Sequence, residues 1–432
     1  MLLGLSSCTI KLSTTSTPAG VPQQTAPVIE TSGPIEEDIV RELTLEDRIE
    51  EKTTIELVRA DTGSDSYIAP AQDSSTHLWG YIDLKGNWVI KPVYRSASEF
   101  FGGIACVSDV YNEYIFINRA GIGMIETFDG HSITASSVFG DGIASVRSDV
   151  EYVQKMTYID GNSEVCINLG RLPLAKGVSY KTSRFVELAT PFRNGYALVM
   201  RTTNATLAAQ GISALESAYV IDRDGSVVAA VPQGLDVSEY GFDENMRVVV
   251  KADNGLYGLA DVNGTVVLSP SYLRVLYCED GLYLVCNQNG FWGYLDKDGN
   301  VVIDFKYNNA LPFSEGLAAV SNGTAWGFID KTGVLVIPYQ YDKVQPLKSD
   351  PYRGAENNGA FCSSIAVVKA GRYWGAINQN GDILFAAESE ECPILSVANG
   401  YISFEYNGGC GVFTTDGKLV LMPEYERIGE FR

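Results

Sequence analysis

Four Trp-Gly dipeptides, beginning at Trp79, Trp292, Trp326 and Trp374, each open the same phrase: an apolar strand, an acidic or amide residue, a Gly turn and a second apolar strand. The phrase reads WGYIDLKGNWVIKPVY from Trp79, WGYLDKDGNVVIDFKY from Trp292, WGFIDKTGVLVIPYQY from Trp326 and WGAINQNGDILF from Trp374. YGLADVNGTVVLSPSY from Tyr257 and CGVFTTDGKLVLMPEY from Cys410 keep the Gly, the turn and the closing Tyr without the Trp. The motif glycines Gly258, Gly293, Gly327, Gly375 and Gly411 lie 35, 34, 48 and 36 residues apart, so one unit is close to 35 residues long. The long step holds a Gly-, Pro- and Asn-rich insertion between Lys348 and Phe361, which reads as a loop. A period of this length belongs to arrays in which each unit buries its apolar face only against its neighbours.

Inside a unit the apolar residues alternate with period two, the signature of strands. In the unit around Trp326, strands are expected at Leu317 onward, Trp326 to Asp330 and Val334 to Ile337, with a fourth short strand after Tyr341. The KTG, KDG and VNG loops supply the positive backbone dihedrals that tight hairpins demand. Phrases such as FSEG and FGDG mark unit starts near Ser66, Gly102, Gly142, Gly195, Asn245, Gly281, Gly316, Phe361 and Gly400. The expected fold is therefore all-β: a tandem array of about nine β-meander repeats of ~35 residues, forming propeller-like blades. Closed propellers usually have about four to eight blades, so an open superhelical β-solenoid is the alternative. LAAQGISALESAY from Leu207 is the one stretch with a short-helix pattern in the repeat region.

The chain divides into three parts. Residues 1–8 end in Leu5-Ser6-Ser7-Cys8, the form of a lipobox, which makes Cys8 the candidate lipidation site. Only seven residues precede it and none is basic, which points to a truncated signal whose start lies upstream. Residues 9–60 comprise a Ser-, Thr- and Pro-rich tether and an acidic segment, in which Thr44 and Asp47 have capping-box spacing for one short helix. Residues 61–432 carry the repeats. No run of eighteen apolar residues occurs, so membrane contact is expected only through a lipid anchor at Cys8.

A net charge of −21, from 53 acidic and 32 basic residues, argues against nucleic acid, which needs a basic stripe. Catalytic motifs are absent: the two histidines, His77 and His131, lie far apart, and neither a nucleophile elbow nor a phosphate-cradling loop is present. No catalytic, metal or cofactor site is expected. DKDGN at Asp296 lacks the order of a calcium loop, and Asp83, Asp296 and Asp330 recur where a side chain caps a hairpin backbone. Of eight cysteines, lipidation of Cys8 leaves seven without a CxxC pair; most are expected to be small buried fillers, with a Cys278–Cys286 hairpin bridge as one option. Trp79, Trp292, Trp326 and Trp374 are expected as repeat-core aromatics packed between units. The alternative is a row of exposed platforms for sugars.

These phrases, with the linking FSEGLAAV, resemble the bacterial WG-containing repeat family (KWG-type), strongly over Asp280 to Tyr341 and weakly between Asn112 and Asp243. The resemblance implies an all-β array in an extracytoplasmic, cell-envelope setting and supplies no catalytic residue. The expected function is a non-catalytic, lipid-anchored surface protein whose array binds or scaffolds a protein or glycan partner. The alternatives are an extracellular glycan-active enzyme and a cell-wall-binding module with exposed aromatics.

Overall fold

A computed structural model describes residues 67–432 apart from 101–102, 112, 126, 129–130, 137–140, 151–152, 161–163, 170–184, 203–217, 280, 348–357 and 407. Cys8, the tether, the acidic segment, the short-helix candidate and most of the 348–361 insertion lie outside the described residues.

The repeats form nine small antiparallel blades in a ring, a β-propeller, six of them four-stranded sheets of their own. Blade 7 shows the pattern: Asn309–Ala310, Leu317–Ser321, Trp326–Asp330 and Leu335–Tyr341 pair in sequence order. Blade 6 repeats it with Arg274–Tyr277, Tyr283–Cys286, Trp292–Leu295 and Val301–Tyr307. A single residue, Asn308, carries the chain from blade 6 into blade 7, and Asp342 carries it from blade 7 into blade 8. Blades 2 and 3 share one nine-stranded sheet, joined where Tyr114 pairs with Ile133.

Nine blades nevertheless close, and the open solenoid is overturned. The last strand, Arg427–Ile428, pairs with the first described strand, Ile68–Gln72, and completes the sheet of blade 1. Further backbone bonds tie the ends: Gly429 N–H donates to Pro70 at 2.8 Å and Glu426 N–H to Gln72 at 3.0 Å. Trp88 meets Tyr425 edge-on at 5.9 Å across the same seam. The apolar core lies largely between blades. One cluster joins Phe328, Ile337 and Tyr341 of blade 7 to Phe361, Val368 and Tyr373 of blade 8.

The structure gives the Trp-Gly phrase its physical reason. Trp292 pairs with Tyr307 and Trp326 with Tyr341, but two residues along the register has slipped, so Tyr294 faces Ile303 and Phe328 faces Ile337. The fourth strand bulges over the glycine between them. A Cβ on Gly327 would lie 2.7 Å from the Ile337 carbonyl oxygen and 3.0 Å from the Tyr339 nitrogen; on Gly293 the first distance is 2.8 Å. The glycine thus makes room for backbone, where the sequence had suggested room for the indole. Each bulged strand is also a sheet edge, and Pro92, Pro270, Pro338 and Pro423 within these strands remove donors that would otherwise invite pairing.

Candidate interaction surface

Antiparallel meanders place every loop at one of two ends of the ring. Loops between first and second strands, and between third and fourth, lie at what we call the turn end. Loops between second and third strands, and the links between blades, lie at the opposite end. There the third strand begins with Trp or its replacement, so we call it the Trp end.

At the turn end one Asp in each of several hairpins holds backbone. Asp330 Oδ1 accepts the N–H groups of Thr332 at 2.9 Å and Val334 at 3.0 Å; Asp296 and Asp83 do the same in their own blades. These bonds favour the charged form. Hydrogen bonds from Thr332 hold Asp330, and from Asn300 hold Asp296, below the usual carboxylate range. The FxxG turns carry consecutive left-handed residues, Asp141-Gly142 and Glu315-Gly316 among them, as a type I′ turn requires. Their acids reach the following blade: Asp141 Oδ2 accepts Gly195 N–H at 2.7 Å, and Glu315 Oε2 accepts Ser364 N–H at 2.7 Å. Asp243 is the sharpest case. Burial pushes its carboxyl up, yet Tyr283 donates to Oδ2 at 2.5 Å while Asn245 and Arg247 N–H groups donate to Oδ1. This is a fully engaged strut between blades 5 and 6.

The Trp end has such caps too, Asp73, Asp109 and Asp342 each accepting backbone N–H groups, and adds rows that run across the sheets. Each blade contributes one cross-strand row there: Arg274–Cys286–Trp292–Tyr307 in blade 6, Asn309–Ser321–Trp326–Tyr341 in blade 7, and Lys343–Lys369–Trp374–Ala387 in blade 8. In blade 5 the row is Asp236–Lys251–Tyr257–Tyr272. Cations sit over rings here, as Arg119 over Phe100 and Arg223 over Phe192 do at the turn end. Lys251 Nζ and Arg274 Cζ are 5.6 and 5.7 Å from the Tyr257 ring, Lys306 Nζ is 5.3 Å from Tyr307, Lys369 Nζ 5.6 Å from Trp374, and Arg372 Cζ 5.1 Å from Tyr373. Phe291 and Leu273 stand exposed beside them at 40% and 41%.

The four motif tryptophans occupy four different blades at this end, and the fold does not bring them together. Trp79, Trp292 and Trp326 are half-buried, and Trp374 is buried. Trp292 packs on the blade 6 and 7 cluster of Tyr294, Phe313 and Ile329; Trp326 packs on the blade 7 and 8 cluster; Trp374 lies inside the blade 8 and 9 cluster with Ile394 and Phe413. Sequence reasoning did not single out Trp88, which packs at the closure seam. Nor did it find the cationic rows, because Arg274, Lys343 and Lys369 carry no motif of their own and become neighbours only through strand pairing.

The described cysteines, Cys106, Cys166, Cys278, Cys286, Cys362, Cys392 and Cys410, are free. Cys278 and Cys286 cannot bridge: Cys286 faces Arg274, four residues before Cys278, about 13 Å along the strand. His77 Nδ1 lies 2.5 Å from Glu426 Oε2 at the closure seam. The side chain of His131 is outside the described residues.

Comparison with known proteins agrees with the repeat reading. The family described as WG containing repeat matches residues 79–109, 292–323 and 326–359. The chain is thus a β-propeller carrying WG containing repeats. No curated protein matches it in sequence. Similar solved structures include a eukaryotic initiation factor at 9% identity and TM-score 0.48, with 85% of this chain and 98% of that chain covered. The computationally designed Ika8 protein matches at 13% identity and TM-score 0.38, covering 76% and 95%. BamB from Moraxella catarrhalis matches at 13% identity and TM-score 0.31, covering 73% and 80%.

Proposed function

We propose that this ring is a non-catalytic binding module, held at a bacterial cell surface by lipid on Cys8, whose Trp end receives a protein or glycan partner of the envelope. The observation that carries the reading is the set of cationic and aromatic cross-strand rows at the Trp end. Lys251, Lys306, Lys369 and Arg372 are held over rings there, beside exposed Phe291 and Leu273. Side chains that stabilise the ring little are available for recognition. The glycan-active enzyme needs a carboxylate free to exchange a proton with substrate; the buried acid Asp243 has its acceptors filled by Tyr283, Asn245 and Arg247. The aromatic-platform reading loses weight because Trp374 is 5% exposed and its three counterparts are half-buried.

Two measurements on the full chain, preceded by an intact lipoprotein signal that ends at Cys8 and expressed in a bacterial host, test this. Fatty-acid label should enter the protein and be lost in Cys8→Ala, with the protein moving from the membrane fraction to the soluble one. A screen against peptidoglycan, envelope glycans and envelope proteins should return a binder that is released unchanged. Shortened glycan products would overturn the non-catalytic reading, and an unlabelled, soluble wild type would overturn the anchor.

A further inference from the structure

We propose that the outer edge of blade 8, the strand Ile383–Glu388, is a docking site for an extended, basic peptide segment of a partner protein, which adds to the sheet as a further strand. This surface is the rim of the ring and is independent of the Trp-end reading.

A blade's fourth strand is an open edge whose backbone donors and acceptors invite another strand. Most of the blades interrupt that edge. The fourth strands of blades 1, 5, 7 and 9 slip register against the third strand and contain Pro92, Pro270, Pro338 and Pro423, and that of blade 6 slips in the same place. In blades 2, 3 and 4 the register shifts within two pairs. Among the described fourth strands, only that of blade 8 pairs without a break over four consecutive residues, from Tyr373–Glu388 to Ala376–Phe385, and it contains no proline. Its shift comes beyond, between Ala376 and Ile377.

The ladder fixes which backbone groups this edge offers. Ser389 N–H donates to the Arg372 carbonyl at 3.1 Å, in register with the pairs Trp374–Ala387 and Ala376–Phe385. In an antiparallel pair, residues that exchange hydrogen bonds alternate with residues whose N–H and C=O point away from the partner strand. Ala386 and Glu388 fall at the alternate positions, so their backbone groups face out from the sheet. Leu384, in the same strand, is 38% exposed. An incoming strand bonds to both residues and covers Leu384.

Charge selects the partner. No Lys or Arg occurs between Arg372 and Lys418, a run that forms the two outer strands of blade 8 and three strands of blade 9 and carries Asp382, Glu388, Glu390, Glu391, Glu405 and Asp416. Asp382 immediately precedes the edge strand, and Glu390 and Glu391 follow it, all exposed. The bases that bound the run are engaged: Arg372 donates to the Tyr373 hydroxyl at 3.0 Å, and Lys418 Nζ lies 2.9 Å from Asp416. Lys369, two strands in from the edge, donates to the Glu390 carbonyl at 3.2 Å. A segment with apolar residues in its middle and Lys or Arg at its ends matches both Leu384 and the flanking acids. A second copy of this chain does not, because antiparallel pairing of the edge with itself sets the Asp382 end of one strand against the Glu390 end of the other.

The test uses the full chain and a short synthetic peptide of alternating valine and threonine closed by lysine at both ends. The peptide should bind, more weakly as salt rises, and should slow hydrogen exchange at the Ala386 and Glu388 amides. N-methylation of one alternate set of peptide amides should abolish binding, and of the other set should not. Ala386→Pro removes an outward N–H without touching the ladder to the third strand; it should weaken binding about tenfold or more with the melting temperature near wild type, and Val336→Thr on the fourth strand of blade 7 should leave binding unchanged. If Ala386→Pro unfolds, Leu384→Lys at the exposed edge position gives the same readout. Absence of binding, equal tolerance of both methylation patterns, or unchanged affinity in the folded edge variants overturns the proposal. Equal binding of a peptide closed by glutamate overturns the basic partner. Self-association of the full chain that Ala386→Pro abolishes also overturns it and makes a second copy the occupant.

Discussion

Blades 7 and 8 are consecutive, and both contain Trp-Gly at the start of the third strand, yet the dipeptide does different work in each. In blade 7 the register slips beside Gly327, the fourth strand crosses over the glycine, and Tyr341 closes the row opposite Trp326. In blade 8 the pairing runs unbroken from Tyr373–Glu388 through Trp374–Ala387 and Gly375–Ala386 to Ala376–Phe385. No closing Tyr stands at the end of that row. Opposite small Ala387, Trp374 sinks to 5% exposure in the core shared with blade 9, whereas Trp326 stays half-buried. The WG containing repeat family matches at blade 7 and does not reach Trp374. The lesson is that the fourth strand, not the dipeptide, decides what Trp-Gly means: LVIPYQY bulges beside the glycine and closes with Tyr341, whereas ILFAAE shifts register only beyond it, between Ala376 and Ile377, and has no closing Tyr.

The sharpest way to break this comparison is to truncate both indoles. Trp374→Ala should cost about 3–5 kcal/mol of unfolding free energy, as large core truncations do, while Trp326→Ala should cost about 1–2 kcal/mol because its ring is only half removed from water. Denaturant midpoints with unchanged slopes would establish the difference. Equal costs would mean the blades are equivalent after all.

Adding a methyl group tests the glycines. Gly327→Ala drives a Cβ to 2.7 Å from a backbone oxygen that cannot rotate away, and about 2–3 kcal/mol should be lost. Gly375→Ala, in an unslipped strand, should change stability by about 1 kcal/mol or less. Next comes the contact between the two blades. Glu315→Ala leaves the Ser364 N–H without its acceptor, which should cost about 1–2 kcal/mol, and hydrogen exchange at Ser364 should quicken.

The smallest effect is one of pH. Blade 7 caps its hairpin with Asp330 and blade 8 with Asn378, in the same geometry. Asp330 binds a proton less tightly when folded, chiefly because Thr332 donates to it, so its contribution to stability is complete above the ordinary Asp value of 3.8. That contribution is lost as pH falls through the lower folded value. Asp330→Asn should therefore flatten the acid limb of the stability profile slightly, and Asn378→Asp should steepen it. No change in either limb would mean that these turns are not coupled to global unfolding.

How much could be read in advance follows the same division. Alternation, Gly turns and FxxG phrases gave the repeat its period because turn chemistry and strand period are local, but the expected starts at Gly102, Gly316, Phe361 and Gly400 fall at the hairpin before each blade's second strand, since a first strand as short as Asn309–Ala310 carries no local signal. Asp83, Asp296 and Asp330 were legible as turn caps for the same reason, since an Asx turn involves residues only two to four positions apart. The lysine pair of blade 8 was not legible: Lys343 and Lys369 are separated by the long insertion and meet through pairing alone.

By itself, the sequence determined the strands, the hairpins, the repeat length and the number of units, all of which depend on contacts within one blade. Only the tertiary structure decided that nine units close, through Arg427–Ile428 completing the sheet begun by Ile68–Gln72. It alone also decided which tryptophan is core. The physical reason is distance along the chain: closure, inter-blade burial and the gathering of charge come from residues far apart in sequence, whose meeting is fixed by small rotations summed over every blade.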